Sequence, residues 1–306
     1  MSRAGRGERR AASRLMSLVE NDPEARLKIL SLLYWQPRNA GIVGITGAPG
    51  CGKSTLIARL ARCFRDKNAT VGIVAVDPSS HVTGGALLGD RIRMSELSSD
   101  SKIFIRSMAT RGHFGGVARA TRDVVRILDA LGMDWVIIET AGAGQSDVDV
   151  KNMAHTTVVV TAPGLGDEIQ TLKAGIMEIG DIFVVNKSDR ENADQTVREL
   201  RSMIMMSEPA GWRPLVMKTN ALSGEGVSEV AESIREHGEY HQRTLDDRGH
   251  AEREVVFAAR KYFEDIALER TTSTRWFNNL CMQVTDRRID PYRAARKLLR
   301  RTLRDS

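Results

Sequence analysis

Features that mark several other protein classes are scarce or missing in this 306-residue sequence. Its three cysteines, Cys51, Cys63 and Cys281, lie far apart and show no C-x-x-C spacing, so nothing indicates a disulfide framework. No apolar run approaches the roughly 20 residues that are needed to span a bilayer. We see no internal repeat and no low-complexity segment. With 42% hydrophobic residues the chain is typical of a globular protein, and we expect a cytoplasmic location without a membrane partner.

The net charge of +6 is mild, and the basic residues are concentrated at the two ends of the chain. No predicted strand interleaves basic with aromatic residues, and no helix-turn-helix pattern is present, so we expect no nucleic-acid partner. The first 14 residues carry five arginines, but no apolar segment follows them, which argues against a secretory signal. We expect a solvent-exposed lead into the first helix, and an organellar presequence is the alternative.

Short apolar segments alternate with helical patterns between residues 41 and about 228. This alternation predicts a doubly wound α/β fold with a mainly parallel sheet, whose ligands bind at the carboxyl ends of the strands. Helical patterns cover residues 117–131 and 193–206, among others. The predicted strands are residues 41–46, 71–76, 103–105, 135–138, 157–160 and 182–185, with 215–217 as a weaker candidate.

We predict three parts: an N-terminal helical leader over residues 1–38, the α/β domain over 39–236, and a C-terminal helical extension over 237–306. The leader has a break at Asn21-Asp22-Pro23 and is expected to pack on the α/β domain. Residues 228–270 and 290–304 look helical, and the extension is too sparse in apolar side chains to fold alone. Such a segment often completes a dimer, so we predict a homodimer.

The strongest motif is G-A-P-G-C-G-K-S, which matches the phosphate-loop pattern G-x-x-x-x-G-K-S. It lies between a predicted strand and a predicted helix, the context that such a loop requires. Its glycines allow backbone N–H groups to surround a phosphate, Lys53 is expected to reach the β- and γ-phosphates, and Ser54 to bind Mg²⁺. The predicted phosphate site comprises Gly47, Ala48, Pro49, Gly50, Cys51, Gly52, Lys53, Ser54 and Thr55.

A second motif, Asn186-Lys187-Ser188-Asp189, directly follows the predicted strand 182–185. N-K-x-D at this place is the guanine-reading element of GTPases, whose aspartate accepts hydrogen bonds from guanine N1–H and the 2-amino group. Adenine offers neither donor, so ATP would leave a carboxylate unpaired, and we predict GTP and GDP as ligands. Asn220, Ala221 and Leu222 follow the last candidate strand, where GTPases place a short loop against guanine O6.

The third motif is the apolar strand 135–138, which ends in Glu139 and continues as T-A-G. The carboxylate is expected to hold Mg²⁺ through water, and the Gly142 N–H to contact the γ-phosphate. Asp77 and Asp90 are further candidates near Mg²⁺, and a turn-capping aspartate is the alternative for each. Because Ala143 rather than glutamine follows Gly142, we predict slow intrinsic hydrolysis.

Longer stretches of the chain resemble the MeaB/ArgK/MMAA family of GTPases, which are chaperones of adenosylcobalamin-dependent acyl-CoA mutases. The matching segments are A-V-D-P-S-S, G-G-A-L-L-G-D-R-I-R-M, G-G-V-A-R-A-T-R, E-T-A-G-A-G-Q-S-D and the block over residues 163–189. The resemblance is strong over residues 13–235 and loose in the helical tail. One departure is Asn220, which stands where the family often has serine.

The resemblance implies a GTPase that docks on a mutase and gates the loading, protection and reactivation of its adenosylcobalamin, a cofactor met only through that partner. It also implies stimulation by the mutase and a homodimer through C-terminal helices. A third switch falls on residues 163–173, with Asp167 and Glu168. The implied Mg²⁺ ligands are Ser54, Asp77, Asp90 and Glu139, and the catalytic group comprises Lys53, Asp77, Asp90, Glu139 and Lys173.

Three alternatives remain open at this point. A metallochaperone GTPase for metal-centre insertion would use a histidine cluster, and His237, His241 and His250 are the candidates, although solvent-exposed histidines are the simpler interpretation. A small-molecule kinase or ATPase would prefer adenine, against the N-K-x-D motif. A nucleotide-gated scaffold would hardly hydrolyse GTP at all.

Overall fold

The structure is a computed structural model that divides into two compact units, Met1–Arg243 and Thr244–Ser306. The residues that it describes are 6–36, 40–77, 97, 99–109, 121–140, 150–164, 176–206, 211–244, 251–252, 255–256, 258–259 and 274–302.

The first unit is built on a seven-stranded sheet in the order β3-β2-β4-β1-β5-β6-β7, and every neighbouring pair is parallel. All the predicted strands are confirmed, including the weak last one. Their apolar runs are continuous because both faces of the sheet are covered, as in the fully buried β5. The strands are β1 Gly41–Gly47, β2 Val71–Asp77, β3 Ile103–Ala109, β4 Trp135–Glu139, β5 Thr156–Thr161, β6 Ile182–Val185 and β7 Leu215–Lys218.

Helices cover both faces of the sheet, so the doubly wound α/β prediction is confirmed. One face packs against residues of α3 and α6, through a core that includes Ile45, Leu60 and Ile234. The opposite face packs against α1 and α4, and farther along the sheet against α5. The helices of this unit are α1 Arg6–Asn21, α2 Pro23–Leu33, α3 Lys53–Asp66, α4 Thr121–Ala130, α5 Ala193–Met205 and α6 Val227–Thr244, with a 3₁₀ turn at Ile176–Glu178.

The N-terminal leader is a pair of helices that packs on the α/β domain, as expected. Asp22 separates α1 from α2 and accepts hydrogen bonds from the backbone N–H groups of Glu24 and Ala25, both at 3.0 Å. This aspartate followed by Pro23 is a standard start for a helix. The leader is tied to the domain by a 2.7 Å ion pair between Arg26 and Asp123 of α4.

The second unit contains a helical hairpin among its described residues, formed by α7 Arg275–Thr285 and α8 Pro291–Thr302. The predicted helix over residues 290–304 is confirmed, whereas α7 was not predicted. Leu280 and Ala294 are buried, and the Arg301 guanidinium lies 4.7 Å from the centre of the Trp276 ring. In the part of the chain that the structure describes, no helix is both long enough and apolar enough to cross a membrane.

Candidate nucleotide-binding site

The predicted site residues follow strands that all run in the same direction, so the loops after them meet at one edge of the sheet. The phosphate loop follows β1, which lies between β4 and β5 at the centre of the strand order. This is where the connections leave the sheet in opposite directions, the usual ligand position in such folds. Glu139 ends β4, Asn186 follows β6, and Asn220 follows β7.

The phosphate loop leaves no room for a Cβ at two of its glycines. Gly47 has φ +135°, and a Cβ there would lie 1.9 Å from the carbonyl oxygen of Val160 on β5. Gly52 has φ +99°, and its Cβ would lie 2.3 Å from Nδ2 of Asn186. Both values of φ are in a region that favours glycine. Gly52 also precedes the first turn of α3, so the backbone N–H groups at the start of that helix border the loop.

Lys53 is held inside the loop that it is predicted to serve. Its Nζ donates hydrogen bonds to the carbonyl oxygens of Gly47 at 2.7 Å and Ala48 at 3.1 Å, and the residue is only 7% exposed. These two carbonyl oxygens satisfy the buried ammonium group within the loop. The arrangement suits an anion because a buried positive charge and helix N–H groups border the same loop.

Ser54 and Glu139 form a pair of oxygen ligands beside Lys53. The Ser54 hydroxyl donates to Oε1 of Glu139 at 2.6 Å, and both residues are buried. Parallel pairing of β1 with β4 sets this geometry, with Ile45 opposite Glu139. A hydroxyl and a carboxylate are hard oxygen donors of the kind that Mg²⁺ prefers, so these residues fit the predicted metal.

The other predicted metal and switch residues are less fully described. Asp77 ends β2, which is separated from β1 by β4, and its side chain is outside the described part. Asp90, Gly142 and Lys173 lie outside the described residues, as does His250.

Asn186 connects the phosphate loop to the loop after β7. Its Nδ2 donates to the carbonyl oxygen of Cys51 at 2.8 Å. Its Oδ1 accepts from the Ala221 N–H at 3.0 Å and from the Thr219 hydroxyl at 3.2 Å. The side chain is therefore a buried junction, 2% exposed, between two loops that the sequence assigns to phosphate and to guanine.

Of the other residues of the N-K-x-D motif, Lys187 contacts the phosphate loop, Ser188 contacts the residue after β7, and Asp189 is exposed. Lys187 has φ +58° and donates from Nζ to the carbonyl oxygen of Gly50 at 2.6 Å. The Ser188 N–H donates to the Thr219 carbonyl at 3.0 Å, which fixes the turn against β7. Asp189 follows and is exposed, so its carboxylate is accessible to a ligand at this edge.

The loop after β7 is closed by Asn220, the residue that differs from the family pattern. Its Oδ1 accepts hydrogen bonds from the N–H groups of Leu222 at 3.1 Å and Ser223 at 3.3 Å. A side-chain oxygen that bonds backbone N–H groups two and three residues ahead stabilises a turn, which asparagine does well. Arg59 of α3 donates to the carbonyl oxygens of Ala221 and Leu222. Sequence reasoning missed Arg59, because nothing marks it among other basic helix residues.

The histidines lie elsewhere, and one of them contradicts the expectation of solvent exposure. His237 is only 4% exposed, and its Nδ1 lies 2.8 Å from the hydroxyl of Thr156, at the start of β5 and opposite the nucleotide edge. Burial lowers the pKa of His237 to about 4, so its imidazole is neutral. His241 stacks on His155 with ring centres 5.3 Å apart. Among the described residues no three histidine, cysteine or acidic side chains are grouped as a metal site.

Comparisons with known proteins agree with the fold and with the motifs. The family model described as methylmalonyl-CoA mutase-associated GTPase MeaB matches residues 12–275. A putative GTPase of Pyrococcus abyssi is 44% identical over 98% of this chain and 95% of its own length. The mitochondrial methylmalonic aciduria type A homolog of Mus musculus is 35% identical over 76% of this chain and 60% of its own. The crystal structure of a LAO/AO transport system kinase has the same fold, with a TM-score of 0.70, 24% identity, and coverage of 96% of this chain and 93% of that one. The extent of the family match and the identity to these relatives show that this chain belongs to the MeaB family of GTPases.

Proposed function

We propose that this protein is a GTP-hydrolysing chaperone that docks on an adenosylcobalamin-dependent acyl-CoA mutase and gates the loading, protection and reactivation of its cofactor. The observation that carries the nucleotide part is the Asn186 junction, which joins the phosphate loop to the loop after β7. The mutase part is supported by the description of the matching family as mutase-associated. Adenosylcobalamin would be met only through the mutase.

Hydrolysis would rest on positioning and charge stabilisation, with no covalent intermediate on the protein. Lys53 would exchange its two carbonyl partners for phosphate oxygens, and the N–H groups at the start of α3 would contact the same anion. Ser54 and Glu139 would hold Mg²⁺, which supplies positive charge to the β- and γ-phosphates. We assign Asp77 and Asp90 to the same metal environment.

Two further residues belong to this proposal, Gly142 through the T-A-G motif and Lys173 through the family resemblance. The Gly142 N–H would contact the γ-phosphate, and Lys173 would act from the third switch. Water would attack the γ-phosphorus, the bond to the β-phosphate oxygen would break, and the products would be GDP and phosphate.

Base selection would depend on Asp189, whose exposed carboxylate offers two acceptors to the two donors of guanine. Asp189→Asn replaces one acceptor with a donor, so we expect GDP affinity to fall by roughly 10- to 100-fold while ADP affinity stays unchanged. The measurement is equilibrium binding of both nucleotides in the presence of Mg²⁺. Asp194→Asn is the matched control, because this exposed aspartate pairs with Lys218. An unchanged GDP-to-ADP preference in Asp189→Asn would count against the guanine assignment.

The chaperone function is tested by GTP turnover of the purified protein, alone and with the cobalamin mutase encoded nearest its gene. We expect a slow basal rate that rises by roughly tenfold or more with the mutase. Lys53→Ala with the same mutase is the control for contaminating hydrolysis, and it should show no turnover. A basal rate that the mutase does not change would contradict docking on this client.

We propose a homodimer through the helical extension over residues 237–306, with the leader over 1–38 and the GTPase domain over 39–236. In α7 and α8, Met282 and Tyr292 are 58% and 88% exposed, as residues at such an interface would be in a single chain. Sedimentation of the full chain beside Met282→Glu tests this, and a wild-type monomer would contradict it.

We place the protein in the cytoplasm, consistent with its three cysteines lacking paired spacing.

The metallochaperone alternative gains no support from the described histidines. His237 is engaged with Thr156, and burial favours its neutral form. A nickel or zinc titration of the nucleotide-free protein separates the two functions, because stoichiometric binding would favour metal insertion.

A further inference from the structure

The loop after β7 is held from two sides. On one side the Ala221 N–H donates to Oδ1 of Asn186 at 3.0 Å. On the other side Arg59 reaches across from α3: its Nε donates to the Ala221 carbonyl at 3.2 Å, and its Nη2 donates to the Leu222 carbonyl at 2.5 Å. Hydrogen bonds from a charged donor are stronger than those between neutral groups. Arg59 therefore forms hydrogen bonds with two consecutive peptide units of this loop.

The hydrogen bonds from Arg59 to these carbonyls also fix the direction of the backbone N–H groups in the loop. A trans peptide is planar, so its N–H points opposite to its C=O. The units that Arg59 holds carry the N–H groups of Leu222 and Ser223, and both now converge on Oδ1 of Asn220 at 3.1 and 3.3 Å. Leu222 is 76% exposed, so burial of its side chain contributes little to holding the loop in place.

The helix that carries Arg59 also carries the phosphate-binding residues. Lys53 and Ser54 form its first turn, and Leu60, next to Arg59, is fully buried in the core. Because a packed helix moves as a rigid element, Arg59 ties the loop after β7 to the same body that holds the phosphates.

We propose that Arg59 is a positioning residue that holds residues 220–222 at the O6 edge of guanine, where the Leu222 N–H would exchange Oδ1 of Asn220 for O6, and so contributes to selection of guanine over adenine. This inference rests on the guanine assignment in the proposed function, and it adds a specificity residue outside the N-K-x-D motif. Arg59 acts through the loop and does not itself touch the base.

The test is equilibrium binding of GDP, IDP and ADP, with Mg²⁺, to the wild type and to Arg59→Ala. Loss of two charge-assisted hydrogen bonds is expected to weaken GDP binding about tenfold. ADP binding should be unchanged, because adenine has no O6. The GDP-to-IDP ratio should also be unchanged, because IDP lacks only the 2-amino group that Asp189 is assigned to read. Arg59→Lys should recover part of the GDP affinity, since an ammonium can still donate to the carbonyls.

Arg65→Ala is the matched control, because it removes another arginine of α3 whose hydrogen bonds go to Asp100 and to the Ala69 carbonyl. It should keep the wild-type GDP-to-ADP ratio. An Arg59→Ala protein with the wild-type ratio, or with equal losses for GDP and ADP, would overturn the role of Arg59 alone. A wild type that does not prefer GDP to ADP would overturn the guanine assignment and this inference together. Should Arg59→Ala fail to fold, the same ratios in Arg59→Met, whose side chain keeps an apolar stem but has no donor, decide: an unchanged GDP-to-ADP ratio there overturns the proposal.

Discussion

Replacement of Asn186 by alanine tests whether one side chain joins the phosphate and base sides of the site. The change removes three hydrogen bonds, to the Cys51 carbonyl, the Ala221 N–H and the Thr219 hydroxyl. At a net 0.5–1.5 kcal/mol each, we expect the free energy of unfolding to fall by about 3 kcal/mol. Burial argues against the lower end of that range, since Asn186 is 2% and Thr219 is 0% exposed.

The assay is urea unfolding of the nucleotide-free protein at neutral pH. Thr219→Val provides an internal scale, because it removes only the 3.2 Å bond to Asn186 and keeps a similar shape. We expect it to cost about 1 kcal/mol. Asn279→Ala, at an exposed position of α7, should cost almost nothing. If Asn186→Ala is no more destabilising than Thr219→Val, the three bonds do not act as described.

The same variant should also bind nucleotide more weakly than its stability loss explains. In Asn186→Ala the loop after β7 keeps its hydrogen bonds to Arg59. The connection through Asn186 between the phosphate loop and the loop after β7 is lost. We expect GDP affinity to fall more than ADP affinity. Both affinities are measured without urea, at a temperature where wild type and variant are folded. Equal affinity of wild type and variant for GDP would refute the idea of a shared junction.

Two other predictions follow from buried groups. Gly47→Ala places a Cβ 1.9 Å from the Val160 carbonyl at φ +135°, so we expect nucleotide binding to be lost and stability to fall by roughly 1–3 kcal/mol or more. Gly238→Ala in α6, where a Cβ meets no described atom within 4 Å, should leave nucleotide binding unchanged and raise the melting temperature slightly, because alanine favours a helix interior. Burial lowers the pKa of His237 to about 4, so this residue binds fewer protons in the folded protein than in the unfolded chain. Its contribution to stability is therefore lost as the pH falls from about 6.5 toward 4, by about 3 kcal/mol in full. Burial raises the pKa of Asp181, which changes stability with pH in the opposite direction. The wild type is therefore compared with His237→Gln by urea unfolding at pH 7, 6 and 5. Equal dependence of the unfolding free energy on pH in the two proteins would refute the role of His237.

The strands were predictable because each is a short, continuous apolar run, a signal that does not depend on distant residues. Parallel strands buried on both faces need such runs, and β5 shows this with every residue buried. The helix ends were also close: residues 193–206 were predicted and α5 spans Ala193–Met205. Helix α7 was not predicted, although Thr274 caps its start by accepting a hydrogen bond from the Phe277 N–H at 3.2 Å.

The sequence by itself predicted the nucleotide class and the strands of a mainly parallel sheet, because the phosphate loop and N-K-x-D are contiguous motifs that follow apolar strands. Only the tertiary structure decided how these motifs meet. Asn186 reaches Cys51 across 135 residues, and Arg59 reaches Ala221 across 162. It also decided that His237 is buried and neutral, where its sequence surroundings suggested solvent. Hydrogen bonds between distant residues leave no local pattern, since any arginine or histidine on a helix looks the same until packing selects its partner.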